Sequence, residues 1–250
     1  MKLALECPTG MLNDIQPLAD FDWVLAHLVL QDKEYAEYYR KSKRYKVLDN
    51  SVNELLEPLS FGDMLKAMDI VKPSLVVPPD HLGGYKKTYD EIVHALSILG
   101  PNDLLPVIQG STLGEVLGLL QELLSLGFNR LAVPYDILSS REDNPVMMAS
   151  NRLRVVNSVI NRVPIGFEIH LLGMTTIEEL ESHNRGWVRS VDTGVPVMMG
   201  LKGRRLDTFR LEDKKKSTMS RMENIVPVDP IYDMMNVFYN VAYLRKLLND

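Results

Sequence analysis

Four short apolar runs in this chain each close on a residue able to do chemistry. They are Val47-Leu48-Asp49, Leu75 to Val77 followed by Pro78-Pro79-Asp80, Leu105 to Ile108 followed by Gln109-Gly110, and Val188 to Asp192. A loop and an amphipathic stretch follow each run. This order of buried strand, polar residue at its C-terminal end, loop and helix calls for parallel strands joined by crossover helices, which leaves a barrel or a doubly wound sheet. A doubly wound sheet gathers its ligand contacts at one switch point, whereas here many consecutive strand ends carry candidates, as in a barrel whose site lies at that face. The expected fold is therefore α/β, a TIM-type (β/α)8 barrel irregular at its N-terminus.

The alternation places strands at 46–50, 75–79, 104–109, 130–134, 165–171 and 187–192, with helices near 60–71, 86–99, 112–126, 145–161 and 176–183 between them. Pro101-Asn102-Asp103, Gly127-Phe128-Asn129 and Val163-Pro164 punctuate the joins. Leu3-Ala4-Leu5 reads as a first strand, and 21–30 as either a strand or a short helix. The stretch 206–226 is charged and aperiodic and reads as a long loop. A final helix near 231–248 follows, with Ile231, Met234, Met235, Phe238, Val241, Ala242 and Leu244 as its apolar face.

With 250 residues, 46% of them hydrophobic, the chain can form one domain spanning 1–250. No apolar run approaches the ~18 residues of a membrane span, and no signal peptide is visible, so a soluble cytoplasmic protein is expected. One cysteine, Cys7, leaves no internal disulfide and no Cys-rich zinc site. Gly110-Ser111-Thr112-Leu113-Gly114 lacks the dinucleotide and triphosphate patterns, so no cofactor is expected.

The net charge of -5 leaves room for local basic patches. One, from Lys33 to Lys46, mixes Arg40, Lys41, Lys43 and Arg44 with Tyr35, Tyr38, Tyr39 and Tyr45. It reads either as a nucleic-acid surface or as an exposed helix with amphipathic tyrosines. A second holds Lys202, Arg204 and Arg205, then Lys214 to Lys216 and Arg221, with Glu212 and Asp213 among them.

Asp49 precedes the turn formers Asn50-Ser51, and can be a catalytic carboxylate or a turn cap. Asp80 sits between Pro78-Pro79 and His81-Leu82-Gly83-Gly84, a rigid-then-flexible join suited to a ligand loop. Gln109 precedes Gly110, whose small size lets a planar ligand approach the backbone. Paired carboxylates such as Asp49 and Asp192 suit substitution at a sugar carbon, one attacking the anomeric centre and the other moving the leaving group's proton. His170 is a core histidine or a substrate contact. Glu168 is an interior charge able to pair with an arginine.

At these residues the chain resembles the queuine tRNA-ribosyltransferase (tRNA-guanine transglycosylase) superfamily, and most closely its small phage DNA 7-deazaguanine transglycosylases. The similar stretches are Val47 to Glu54, Val76 to Gly84, Pro106 to Gly110, Leu131 to Tyr135, Ile169 to Gly173 and Val188 to Arg205. The resemblance implies that Asp192 is the nucleophile at C1′ and Asp49 the general acid/base. It implies that Asp80 reads the guanine N1 and N2 edge and that Gln109 with Gly110 faces the base carbonyl. Pro134, Tyr135, His170, Leu172 and Gly173 would complete the base pocket. The chain departs from the tRNA enzymes in having Asn50-Ser51-Val52 for a Ser-Gly-Gly stretch and Val133-Pro134-Tyr135 for a Gly-Gly stretch, and it lacks the cysteines of their zinc subdomain. The implied reaction is exchange of guanine in DNA for a free 7-deazaguanine such as preQ0, in the host cytoplasm of a phage. Arg40 to Arg44 and Lys202 to Arg205 would be the phosphate contacts. The rival readings are a barrel hydrolase or lyase on a small molecule and a non-catalytic nucleic-acid-binding or base-binding paralogue.

Overall fold

The computed structural model describes residues 1–139, 144–174, 176–208 and 230–249. In chain order the elements are β1 (Lys2–Leu5), α1 (Leu12–Ile15), β2 (Asp22–Leu25), α2 (Ala26–Gln31), α3 (Lys33–Lys41), β3 (Lys46–Asp49), α4 (Val52–Leu55), α5 (Phe61–Val71), β4 (Leu75–Val76) and α6 (Tyr85–Leu96). They continue with α7 (Leu113–Ser125), β5 (Arg130–Pro134), α8 (Pro145–Ile160), β6 (Glu168–Leu172), α9 (Ile177–Ser182), β7 (Val188–Thr193), α10 (Val195–Leu201) and α11 (Pro230–Asn249). The helix starts follow local chemistry. Asp32, Ser60, Thr112, Asn144 and Thr176 each accept a backbone N–H from the first turn of α3, α5, α7, α8 and α9.

Among the described residues all strand pairs are parallel. One sheet runs β1-β7-β6-β5 and the other β2-β3-β4. Three parallel bridges link further segments: Ala4 with Phe21, Val76 with Leu104, and Val107 with Ala132. The alternation of side chains along each strand sends Leu3, Leu5, Val24, Leu48, Leu131, Val133, Ile169, Leu171 and Val191 to one face, where they are almost fully buried. The opposite face carries Trp23, His170, Ser190 and Asp192. There the two sheets touch, with the His170 ring stacked on Trp23 at 4.7 Å and meeting Phe21 edge-on at 6.2 Å.

The observed elements depart from expectation where backbone donors are missing. The strand expected at 75–79 is cut to Leu75–Val76, because Pro78 and Pro79 offer no N–H. The segment expected as a strand at 104–109 forms only isolated bridges around Pro106. Its ladder consists of Leu105 N–H to Val76 O (2.8 Å), Ala132 N–H to Pro106 O (2.8 Å) and Ile108 N–H to Ala132 O (3.0 Å). The ambiguous stretch at 21–30 holds both elements, β2 and then α2. Glu168 is exposed rather than interior, and the buried arginine–carboxylate pair is Arg152–Glu179.

The C-terminal helix buries only part of the face expected: Val241 and Leu244 are buried and Met234 half-buried, whereas Ile231, Met235, Phe238 and Ala242 are exposed. Val237 and Leu248 also face inward with Asp233, Asn236 and Asn240, while Ile231 is 78% and Met235 64% exposed. Two contacts fix this rotation. Gly200 of α10 lies so close that an added Cβ would stand 2.5 Å from the Val237 nitrogen. Buried Asn240 accepts Leu206 N–H and donates to the carbonyls of Pro196 and Arg204. Specific polar anchoring outweighs the methionine-rich stripe. Within the expected loop, Leu206–Thr208 forms a short 3-10 turn, and the rest, including Lys214 to Lys216 and Arg221, lies outside the described residues. Among the described residues no helix is long and apolar enough to cross a membrane.

Candidate functional site

Asp192 is buried on β7 with both of its contacts on one oxygen. Its Oδ1 lies 2.9 Å from His170 Nε2 and accepts the Gly173 N–H at 3.2 Å. His170 Nδ1 in turn lies 2.8 Å from Ser190 Oγ. A register shift between Ile169 and His170 sets Ser190 opposite His170, a bulge that re-aims side chains next to a site. Stacking on Trp23 holds the imidazole plane. His170 therefore supports Asp192 from below; its expected direct substrate contact is replaced by this supporting position, because both ring nitrogens are engaged. Gly173 adopts φ +67°, and an added Cβ would lie 3.3 Å from the Tyr135 ring. Only glycine serves both the backbone turn and the tight ring contact there.

The loop carrying Gly173 is anchored from outside the sheet. Fully buried Arg152 of α8 donates to the carbonyls of Leu172 and Gly173 at 2.9 Å each. It also forms a two-pronged ion pair with Glu179 of α9, through Nε to Oε1 and through Nη2 to Oε2 at 2.6 Å. His183 Nε2 lies 3.0 Å from Glu179 Oε1. Burial alone would raise the Glu179 pKa, but the Arg152 guanidinium and His183 hold it down to about 2.

Asp49 ends β3 and accepts the Ser51 N–H at 2.9 Å. Desolvation first, and then the charges of Glu54, Asp192 and Asp80, push its carboxyl well above the ordinary carboxylate range against the pull of that N–H. Asp49, Asp80 and Asp192, from both sheets, thus share one electrostatic environment. Because the Asp49 pKa is raised on folding, its contribution to stability is complete below the ordinary value and is lost as pH rises through the folded-state value. Asp49→Asn removes that loss and keeps an acceptor for Ser51. It should raise stability at neutral pH by about 1 kcal/mol, a Tm gain of about 2–4 °C for a chain of this size. Thermal melts of both proteins at acid and neutral pH check this, with the gain confined to the higher pH.

Asp80 is buried and clamped at both oxygens. Asn50 Nδ2 donates to Oδ1 at 2.7 Å and Gln109 Nε2 to Oδ2 at 2.6 Å. Gln109 Oε1 accepts the Gly83 N–H at 3.1 Å. Burial raises the Asp80 pKa, and the two amides pull against it. Gln109 is thus turned to Asp80 and the Gly83 backbone, not towards an open position as a base-carbonyl donor. Gly110 is required by packing: an added Cβ would stand 2.9 Å from the Val116 nitrogen, so the approach of α7 explains its size. Pro134 closes β5 opposite Leu172. Tyr135 packs on Gly173 and its hydroxyl donates to Asn53 Oδ1 at 3.3 Å, tying the loop after β5 to α4.

The first basic patch does not face this site. Arg40 and Lys41 pair with Glu37 at 2.6 and 3.0 Å. Arg44 holds Asp22 at 3.1 Å and the carbonyls of Gln16 and Ala19. Tyr35 and Tyr39 are buried, and Lys43 is exposed beside them. These residues precede β3, whereas Asp49 ends it, so the strand separates Arg40 to Arg44 from the carboxylates. Tyr35 and Tyr39 are core residues and Arg40, Lys41 and Arg44 complete intramolecular pairs, while Tyr45 and Lys43 are exposed; a charge count cannot reveal this.

Lys202, Arg204 and Arg205 lie on the side of Asp192. The last turn of α11 meets the start of β1, where the Met1 amine donates to Leu248 O at 3.0 Å. Asn240, two turns earlier, reaches Pro196 just beyond β7. The earlier part of α11 and the 202–205 loop packed on it therefore stand at the C-terminal edge of the strands. There Arg205 covers the Tyr239 ring at 4.4 Å.

Sequence reasoning missed Glu6, Glu54, Trp23, Asn50 and Arg152. Glu6 follows β1 beside Asp192, whose charge helps to hold its carboxyl well above the usual range, and Glu54 lies within the field of Asp49 and Glu6. A carboxylate directly after an apolar strand was the available signal for Glu6. Among the described residues no group of His, Cys, Asp and Glu has the arrangement of a metal site. Burial pushes the Cys7 thiol up to about 12, which leaves it unreactive. Compared with protein-family models and with curated proteins, the sequence matches none.

Proposed function

We propose that the two sheets, the three bridges and the segment 104–108 make a closed eight-stranded (β/α)8 barrel, and that the chain is a DNA-guanine transglycosylase working through a glycosyl-aspartate intermediate. The bridges Ala4–Phe21, Val76–Leu104 and Val107–Ala132 fall where the ring would otherwise be open. The observation that carries the functional reading is Asp192 held at Oδ1 by His170 and the Gly173 N–H, in one environment with Asp49 and with Asp80 clamped by two amides. The sequence resemblance supplies the substrate.

In this reading Asp192 attacks C1′ as the C1′–N9 bond of guanine breaks. His170 and the Gly173 N–H orient the carboxylate, and Asp49 handles the proton of the departing and incoming base. C1′ lies inside the stack of a duplex, so the target nucleotide is flipped out or presented in a single strand. Lys202, Arg204 and Arg205 are the phosphate contacts on that side.

Asp80 sets the choice of base. With Asn50 and Gln109 fixing its orientation, it accepts hydrogen bonds from a ring N–H and an exocyclic amine, a pair found on guanine and 7-deazaguanines. Adenine leaves the carboxylate unmatched, at about 1–3 kcal/mol or more for a charged group. Purified protein should incorporate labelled 7-deazaguanine into guanine-containing DNA and not into guanine-free DNA. Asp80→Ala should lose rate and discrimination together. Equal labelling of both DNAs contradicts the proposal.

The pairing-off of Arg40, Lys41 and Arg44 favours one alternative, the same carboxylates acting on a small molecule. Strongly salt-dependent DNA binding, reduced in Lys202→Ala and Arg204→Ala, separates the two.

A further inference from the structure

The ladder between β1 and β7 continues past the last residue of β1. Ala4 lies opposite Asp192 and Leu5 opposite Thr193, and the Glu6 N–H donates to Thr193 O at 3.2 Å. The pleat puts Glu6 on the same face as Ala4 and Asp192. Ala4 has no bulk there, so the register sets the Glu6 carboxyl beside the Asp192 carboxyl, where the two can share a proton through a hydrogen bond. Two carboxyls form such a bond only when one of them carries a proton. Asp192 Oδ1 already accepts from Gly173 N–H and meets His170, whereas desolvation and the neighbouring charges favour the protonated form of Glu6. The proton therefore resides on Glu6.

The groups around Glu6 come from several elements: Asp192 on β7, Asp49 on β3, Glu54 on α4, and the neutral Cys7 and Tyr35. Desolvation, then the charges of Asp192, Glu54 and Asp49, hold its carboxyl well above the usual range. The reaction described above, with Asp192 as nucleophile, Asp49 moving the proton and Asp80 choosing the base, leaves Glu6 without a task.

We propose that Glu6 is the proton store of the exchange, releasing its proton as Asp192 becomes a glycosyl ester and recovering it when the ester breaks. The proposal rests on the transglycosylase reading. In the first half, an Asp192 oxygen bonds to C1′, the C1′–N9 pair departs with guanine, and N9 takes up one proton. The ester is neutral, so the like charge that kept Glu6 protonated is gone and its proton is the one delivered, handed on through Asp49. In the second half, the incoming base loses its N9 proton, N9 bonds to C1′ and Asp192 leaves as the anion. Glu6 is then protonated again. The Glu6–Asp192 pair carries one negative charge before and after each half, so the site never gains net charge.

Infrared spectroscopy of the full chain with carbon-13 glutamate carboxyls tests this at neutral pH. The resting protein should show a protonated glutamate band that is absent from Glu6→Gln. That band should vanish when guanine-containing DNA forms the covalent adduct and return when 7-deazaguanine is added. Glu6→Gln keeps a hydrogen-bond donor to Asp192 but has no proton to give, so guanine release should slow about 100-fold with DNA binding unchanged. If Glu6→Gln does not fold, the loss and return of the band in the wild-type protein decide the matter. Absence of the band, its survival in Glu6→Gln, or undiminished guanine release overturns the proposal. A band unchanged in the adduct overturns the proton store alone, and absence of any adduct overturns the transglycosylase reading with it.

Discussion

Asp192→Asn should lose base exchange by a factor of at least about 10⁴ while binding guanine-containing DNA as the wild-type protein does. The substitution preserves the volume and leaves an oxygen for the Gly173 N–H, so the pocket keeps its shape. What disappears is the anionic oxygen that makes the bond, and a group acting in bond making costs far more in turnover than in ground-state affinity. Single-turnover release of guanine and a DNA-binding titration at fixed salt measure the two quantities. Exchange near the wild-type rate would require another nucleophile, and equal loss of binding would make Asp192 a structural residue.

Arg152→Met should destabilise the fold by about 3–5 kcal/mol, since removing one partner of a buried ion pair leaves the other charge uncompensated. The carbonyls of Leu172 and Gly173 lose their donor at the same time. Adding Glu179→Gln to Arg152→Met should recover part of the loss, because the stranded charge is then gone. The pH dependence has a definite sign. Glu179 is held down to about 2, so its contribution is complete above the ordinary glutamate value and is lost as pH falls from there towards 2. Denaturant unfolding over that acid range should show a slope in the wild-type protein that Glu179→Gln lacks. A cost below about 1 kcal/mol for Arg152→Met would remove the pair from its anchoring role for the Gly173 loop.

The order of strands and helices was legible because parallel strands buried on both faces leave apolar runs, and Gly, Pro and Asn mark their ends. Asp49 and Asp192 were legible as residues at the ends of β3 and β7 for the same reason, whereas Asp80 and Gln109 stand in the irregular segments beyond Leu75–Val76 and around 104–108. Contacts set by register were not. Glu6 reaches Asp192 only through the β1–β7 pairing, and His170 meets Trp23 only because two sheets face each other. Ser190 aligns with His170 through a bulge that periodicity does not announce. The misplacement of Arg40 to Arg44 has a similar origin: a sequence shows charge but neither the end of the strand it occupies nor the partners, here Glu37 and Asp22, that neutralise it. On α11 hydrophobicity suggested Ile231, Met235 and Phe238, whereas Asn240 and the close approach of Gly200 fix the rotation. Gly110 and Gln109 were recognised as special, but packing on α7 and orientation of Asp80 account for them.

Intact-protein mass spectrometry of the chain mixed with guanine-containing single-stranded DNA, quenched by acid before free base is added, tests the central claim most directly. The account predicts a covalent protein–DNA species with the loss of one guanine, mapped by peptide sequencing to Asp192, absent from Asp192→Asn and discharged by free 7-deazaguanine. A species mapped to another residue, or none under conditions where labelled base is incorporated, would contradict it.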